Sequence, residues 1–286
     1  MRLRFWNKPV YIPQKPEEVL ASLPGQFRLP LLSMYAGEPQ IGTNGELCPL
    51  DPATHISPEE GMWIHNLCRQ LRPKKTVEIG LAYGFSTIYI LAALHENGMG
   101  SHTAIDPHQP AYHEIGLRHP EKLNMADAFS LIRQMSVPAL VDLHRKDEHF
   151  EFIFIDGNHR FDDVLVDFIL SSEVCAIGGH IILDDMWMPA IQKVAAFTRT
   201  NRKDFIEIPT PIENIAAFQK IAEDTRSWDP QSICIWTIWP SVELRTLQRP
   251  GGCLGRLRDY SCFRPAAAAV KARDELATLG PRRQPT

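Results

Sequence analysis

The stretch Lys75–Leu91, KTVEIGLAYGFSTIYIL, limits the possible fold more than any other part of the chain. Thr76-Val77-Glu78-Ile79 is β-rich and apolar, the composition of a buried strand. Gly80 and Gly84 bracket a tight turn, and Ser86-Thr87 open an apolar run long enough for a helix. Strand, glycine turn and helix in that order present backbone N–H groups to a ligand in doubly wound α/β folds, where glycine lets the backbone come close. The spacing is E-x-G-x-x-x-G, neither the dinucleotide pattern G-x-G-x-x-G nor the nucleoside triphosphate loop. Glu78, just before the first glycine, would repel a phosphate and attract an ammonium group. That preference points to S-adenosylmethionine, a zwitterion with a sulfonium centre. The plainer alternative is a pair of structural glycines in an unrelated α/β turn.

Strand and helix signals alternate on both sides of this loop. Ser57-Pro58-Glu59-Glu60 reads as a helix start, with Ser as cap, Pro at the first helical position and Glu three residues after the cap. Ser101–Ile105 reads as a second strand ending on Asp106, 22 residues beyond Gly84, where such folds place a carboxylate for ribose hydroxyls. A turn Asp before Pro107 is the other reading. Helix is expected from Gln109 to a break at Pro120, strand over Phe129–Gln134 and helix over Val137–Lys146. The apolar run Glu151–Ile155 ends on Asp156-Gly157-Asn158-His159 and leads into a helix over Asp162–Leu170. Gly178-Gly179 turns into a short strand, His180–Leu183, ending on Asp184-Asp185, and a helix follows over Met188–Thr198. Phe205–Ile208 and Ile215–Ile221 close the sheet as an antiparallel pair. The expected architecture is therefore α/β, Rossmann-like and doubly wound, with a mostly parallel sheet and helices on both faces. An irregular, Pro- and Gly-rich arm (1–55) precedes the domain (56–228), as a packing strap or a substrate lid. A tail (229–286) without strand–helix alternation follows it, either an accessory segment or not a native continuation of the domain.

Charge and cysteines narrow the partners. Net charge is −4, with residues 231–286 at +5 and the rest at −9, so nothing overall favours nucleic acid. No stretch reaches the roughly 18 uncharged apolar residues of a membrane helix, and the start has no continuous apolar segment for secretion. The six cysteines are scattered without C-x-x-C, which suits reduced thiols in a cytoplasmic protein.

Parallel neighbours ending at Asp156 and Asp184-Asp185 would lie about 4.8 Å apart. Three carboxylates converging there repel one another unless a hard cation such as Mg²⁺ neutralises them. Such an ion lowers the pKa of a bound substrate hydroxyl. The plainer reading is that Asp184-Asp185 caps the next helix. His159, three residues after Asp156, would accept a proton near its usual pKa of about 6.5, or else serve as a surface or capping histidine.

VEIGLAYGFST, AIDP, FIFIDGNHRFDDVLVDF and GGHIILDD together resemble class I S-adenosylmethionine-dependent methyltransferases over roughly residues 56–228. The resemblance is closer to the branch around macrocin O-methyltransferase and the cephalosporin-hydroxylase-like proteins. It implies that Glu78, Gly80, Gly84 and Ser86 line the methionine end of the cofactor, that Asp106 binds ribose and that Met135-Ser136 border adenine. It also implies that Asp156, Asp184 and Asp185 hold a divalent metal and that His159 is the catalytic base, in a methyl transfer to oxygen. The expected acceptor is a small molecule with a sugar, glycoside or phenol hydroxyl; nucleic acid and membranes are not expected partners, and a homo-oligomer is compatible. A nicotinamide-dinucleotide oxidoreductase and a cofactor-binding pseudo-enzyme or scaffold are the competing readings, and no His-x-Asp…His iron pattern supports a hydroxylase.

Overall fold

A computed structural model describes residues 15–226. The tail expected over 229–286 lies outside those residues, as do residues 1–14 and Cys234, Cys253 and Cys262. Within the arm, the described part folds into helices α1 (Pro16–Val19) and α2 (Gly25–Tyr35), then a hairpin of β1 (Gln40–Ile41) and β2 (Leu47–Cys48). Where an irregular arm was expected, Phe27, Leu31 and Met34 recur at helical spacing and are buried along α2, which tolerates the internal Pro30. Leu20, Leu23 and these residues share one core with Ile88 and Tyr89, so the segment is a strap and not a free arm.

The domain proper begins with α3 (Pro58–Leu71), started as the sequence predicts. Ser57 Oγ accepts from Glu60 N–H, and Glu60 in turn accepts from Ser57 N–H. There follow β3 (Lys75–Ile79), α4 (Phe85–Asn97), β4 (Ser101–Ile105), α5 (Ile115–Lys122), β5 (Phe129–Ile132), α6 (Ser136–Arg145), β6 (Phe150–Ile155) and α7 (Phe161–Val174). The last elements are β7 (Cys175–Leu183), α8 (Pro189–Asn201), β8 (Phe205–Ile208) and β9 (Ala216–Lys220). Two expectations change. The break assigned to Pro120 occurs earlier, at His113 and Glu114, both left-handed (φ 52° and 55°), and Pro120 lies inside α5, buried beside His119. Strand β7 starts five residues before His180, and its register jumps from Phe150↔Cys175 to Phe152↔His180, so Gly178-Gly179 form a bulge within the strand.

The sheet order is β5-β4-β3-β6-β7-β9-β8, parallel except for β9, which runs antiparallel to both neighbours. Alternating side chains divide the core between its two faces. Phe152 and Phe154 pack with α2, α3 and α4, whereas Ile153 and Ile155 pack with α6, α7 and α8. The chain winds outward from β3 through β4 to β5, then returns to place β6 on the other side of β3. The crevice between β3 and β6 is thus the topological switch point, where open α/β sheets bind ligands.

Candidate functional site

Register sets the level of the site. Ile79 pairs with Ile155, and Ile155 with Leu183, so Gly80, Asp156 and Asp184 leave three adjacent strands side by side. Gly80 is left-handed (φ 95°), and a Cβ there would collide with the backbone carbonyl of Asp156. The absent side chain accommodates the neighbouring loop, a reason for glycine different from the expected approach of a ligand. Gly84 (φ 83°) caps α4 against Gly116 and His119. Burial holds His119 down at about 4, so it backs the loop as a neutral ring.

Glu78 does not stand open to the crevice. It is fully buried and accepts from Ser86 Oγ at 2.7 Å and from Thr87 Oγ1, with His102 Nε2 3.2 Å away. A buried carboxylate needs such partners, and here they join the end of β3 to the first turn of α4. Asp106 is equally engaged. Its Oδ2 accepts from the N–H groups of Leu81 and Ala82 at 3.2 and 3.0 Å and from Gln109 Nε2 at 2.8 Å, and its Oδ1 accepts from His108 N–H at 2.6 Å. Four donors match the roughly four lone-pair positions of a carboxylate, so Asp106 shapes the glycine loop. A cavity of about 30 Å³ runs beneath that loop from Thr54 and Ile56 to Asp156. Met135, 55% exposed, and Ser136 follow edge strand β5, two strands away from Glu78.

On the other side of the crevice, one donor atom each from Asp156, His159 and Asp185 lies within 4.8 Å of the other two. His159 Nε2 is 3.5 Å from Asp156 Oδ1 and 3.0 Å from Asp185 Oδ2. Those carboxylates push His159 up to about 10, so at neutral pH it carries a proton and is not the free base expected from its usual pKa. Burial raises Asp156, an effect His159 opposes. Asp185 is also partly buried, yet its contacts to His159 and Trp187 hold its carboxyl below the ordinary value. Asp184 stands outside this group. It is buried, held above the carboxylate range by desolvation and then by Asp156, and its Oδ1 accepts from Asn214 Nδ2 at 3.2 Å. Two carboxylates at this separation, with a third carboxylate adjacent, suit a hard divalent cation, and the imidazole stands close enough to exchange a proton beside it.

Reasoning on the sequence missed Thr87, His102, Gln109, Trp187 and Asn214. Thr87 had a signal, the hydroxyl pair at the start of α4. Asn214 had none, since 30 residues separate it from Asp184.

Residues 77–186 match the profile of a family described as a methyltransferase domain. Caffeoyl-CoA O-methyltransferase of Populus kitakamiensis is 29% identical over 143 residues, 47% of this chain and 57% of that protein. Caffeoyl-CoA O-methyltransferase 1 of Zea mays is 31% identical over 105 residues, 36% of this chain and 40% of that protein. The chain thus spans about half the length of the curated relatives it matches. In fold it is similar to the SAH-bound methyltransferase PaMTH1 of Podospora anserina, with a TM-score of 0.56 at 15% identity, covering 72% of this chain and 93% of that one. Residues 77–186 thus match a methyltransferase domain, the fold is Rossmann-like, and part of the chain is similar in sequence to the caffeoyl-CoA O-methyltransferases.

Proposed function

We propose that the protein transfers a methyl group from S-adenosylmethionine to a hydroxyl oxygen of a small molecule, assisted by a divalent cation. The observation that carries this reading is the convergence of Asp156, His159 and Asp185 beside the Gly80 loop, at the switch point of the sheet. In this proposal Gly80 and Gly84 shape the loop that receives the methionine end of the cofactor. Glu78 and Ser86 support it from below, and Asp106 meets the ribose by exchanging Gln109 for sugar hydroxyls. Met135 and Ser136 border the adenine. Asp156 and Asp185, with Asp184 beside them, would hold the cation, which would supply Lewis-acid activation of the acceptor hydroxyl. His159 releases its proton once Asp156 and Asp185 direct their charge to the cation, and then takes the acceptor's proton. As the oxygen–methyl bond forms, the sulfur–methyl bond breaks and the sulfonium becomes a neutral thioether.

The relatives' names favour an aromatic acceptor hydroxyl of the caffeoyl type; a sugar or glycoside, as in the macrocin branch, is the second choice. A groove of about 380 Å³, lined by Met186, Ile208 and Ile212 together with the charged Arg199, Glu207 and Glu213, has a volume in the range of small-molecule sites. Met186 directly follows Asp185 in the chain, which favours this groove for the non-reacting part of the acceptor.

Calorimetric titration with S-adenosylmethionine, with and without Mg²⁺, tests the core of the reading. Binding in the micromolar range is expected, and a folded protein that takes up no cofactor would refute it. With caffeoyl-CoA as a first acceptor, Asp156→Asn is expected to lower kcat at least about 100-fold, roughly 2.7 kcal/mol of barrier, while cofactor binding persists.

A further inference from the structure

We propose that Asn214 is a positioning residue for the cation site, fixing Asp184 and Asp185 directly and bracing Trp187 beside them; the inference rests on the cation reading above. Asn214 lies between β8 and β9, on the antiparallel edge of the sheet, and reaches back to the end of β7. Its Nδ2 donates to Asp184 Oδ1 at 3.2 Å, its Oδ1 accepts from Trp187 N–H at 3.3 Å, and its backbone carbonyl accepts from Met186 N–H at 3.0 Å. One residue therefore holds every position from Asp184 to Trp187.

The segment it holds is in need of support. Asp185 is left-handed (φ 57°), a conformation that costs a residue with a Cβ roughly 1 kcal/mol or more and persists only where its surroundings enforce it. That turn separates the two adjacent carboxylates. Asp184 stays buried and faces Asn214, while Asp185 faces His159 at 3.0 Å and accepts from Trp187 Nε1 at 2.7 Å. By donating to Asp184 Oδ1, Asn214 fixes the orientation of the carboxylate that Asp184 would offer to a cation. By accepting from Trp187 N–H, it anchors the residue whose indole orients Asp185. Partners of this kind, one step removed from the ion, commonly change metal affinity 10–100-fold.

The test is Mn²⁺ binding to the full chain, followed by electron paramagnetic resonance of the free ion, alongside calorimetry of S-adenosylmethionine. Asn214→Ala keeps the backbone bond to Met186 and removes the side-chain contacts to Asp184, Asp185 and Trp187; Asn214→Leu does the same with the side-chain volume kept. Both are expected to weaken Mn²⁺ binding at least about 10-fold while cofactor affinity stays within a factor of about 2. Unchanged Mn²⁺ affinity in a folded variant would overturn the proposal, even if thermal stability falls, because that is what a loop anchor alone would give. Joint loss of Mn²⁺ and cofactor binding in both variants would also overturn it, as a collapse of the site. Should the unaltered protein take up cofactor and no Mn²⁺, the cation reading fails and this inference with it; failure in the variants alone leaves that reading standing.

Discussion

Asp167, away from the acid cluster, is a residue whose charge state the fold disturbs. It is 2% exposed on α7, one carboxylate oxygen has no hydrogen-bond partner, and burial raises it to about 6 despite help from Ser136. A carboxyl whose folded pKa lies above its unfolded value favours the folded state only while protonated. That contribution is complete below about pH 4 and disappears as pH rises through about 6. Asp167→Asn, neutral throughout, is therefore expected to gain stability relative to the parent between pH 4 and pH 7. The difference is on the order of 2–3 kcal/mol, read from thermal midpoints at the two pH values; a gap that stays constant would contradict this origin. None of it was legible in the sequence, where Asp167 is one more acid on an amphipathic helix. The residues that were legible, Gly80, Asp156, His159 and Asp184-Asp185, all stand next to a strand end, where a two-residue period gives way to a loop. Asn214, the partner of Asp184, was not, because it arrives through tertiary approach and leaves no local pattern, and the same holds for His102 beside Glu78.

Among the elements, the pairing of α3 with α4 has the narrowest tolerance. Gly61 faces Tyr89 so closely that a Cβ would fall inside the ring, and the Tyr89 hydroxyl is bonded to that of Tyr35 at 3.0 Å, so the ring cannot withdraw freely. Gly61→Ala, which would raise helix propensity in isolation, is expected to destabilise by about 1–3 kcal/mol through overpacking. Urea unfolding would show this as a lower midpoint with the slope retained. Most strands of the sheet were readable to within a residue or two, since apolar runs bounded by turn residues mark them. The arm was legible as a packing strap but its helices were not, because α2 has only three buried apolar positions among Pro and Gly. Its helix is fixed by packing against α4, not by propensity. Strand β7 was shortened for a related reason: paired glycines usually end a strand, yet here they bulge out of one that continues.

At the scale of the whole molecule, binding groups and clamping groups occupy opposite ends of the sheet. The C-terminal ends of β3, β6 and β7 carry the candidate site, and the other end is closed by a buried polar knot. Arg202 donates to both oxygens of Asp204 at 2.9 and 2.6 Å and to Ser172 Oγ at 3.0 Å, under the rings of Phe168 and Phe205. Lys220 donates to the carbonyls of Ser172 and Cys175, both at 3.1 Å, where α7 passes into β7. Arg202→Met strands the buried Asp204 carboxylate and is expected to cost about 3–5 kcal/mol, whereas Arg202→Met with Asp204→Leu recovers most of the loss. Chemical denaturation of the two variants distinguishes this pair from a generic surface bridge. Cofactor affinity should survive in the double variant, since the knot lies at the far end of the strands. Cys48, Cys68 and Cys175 are buried and unpaired by disulfides, as reduced thiols would be, and no helix among the described residues is long and apolar enough to cross a membrane.

The contact between Gly80 and the carbonyl of Asp156 has a bearing on how such a catalyst can change its substrate. Where a side chain at position 80 would stand, the loop proposed for the methyl donor meets the backbone of the loop proposed for the acceptor's cation, so in the proposed reaction that close approach would help to set the reach of the transfer. In-line transfer is sensitive to that reach, and rotamer changes in the walls of the pocket cannot alter it. Acceptor recognition can therefore diversify along Met186 and the 209–215 loop without retuning the chemistry, as a tool holder accepts different workpieces at one fixed gap.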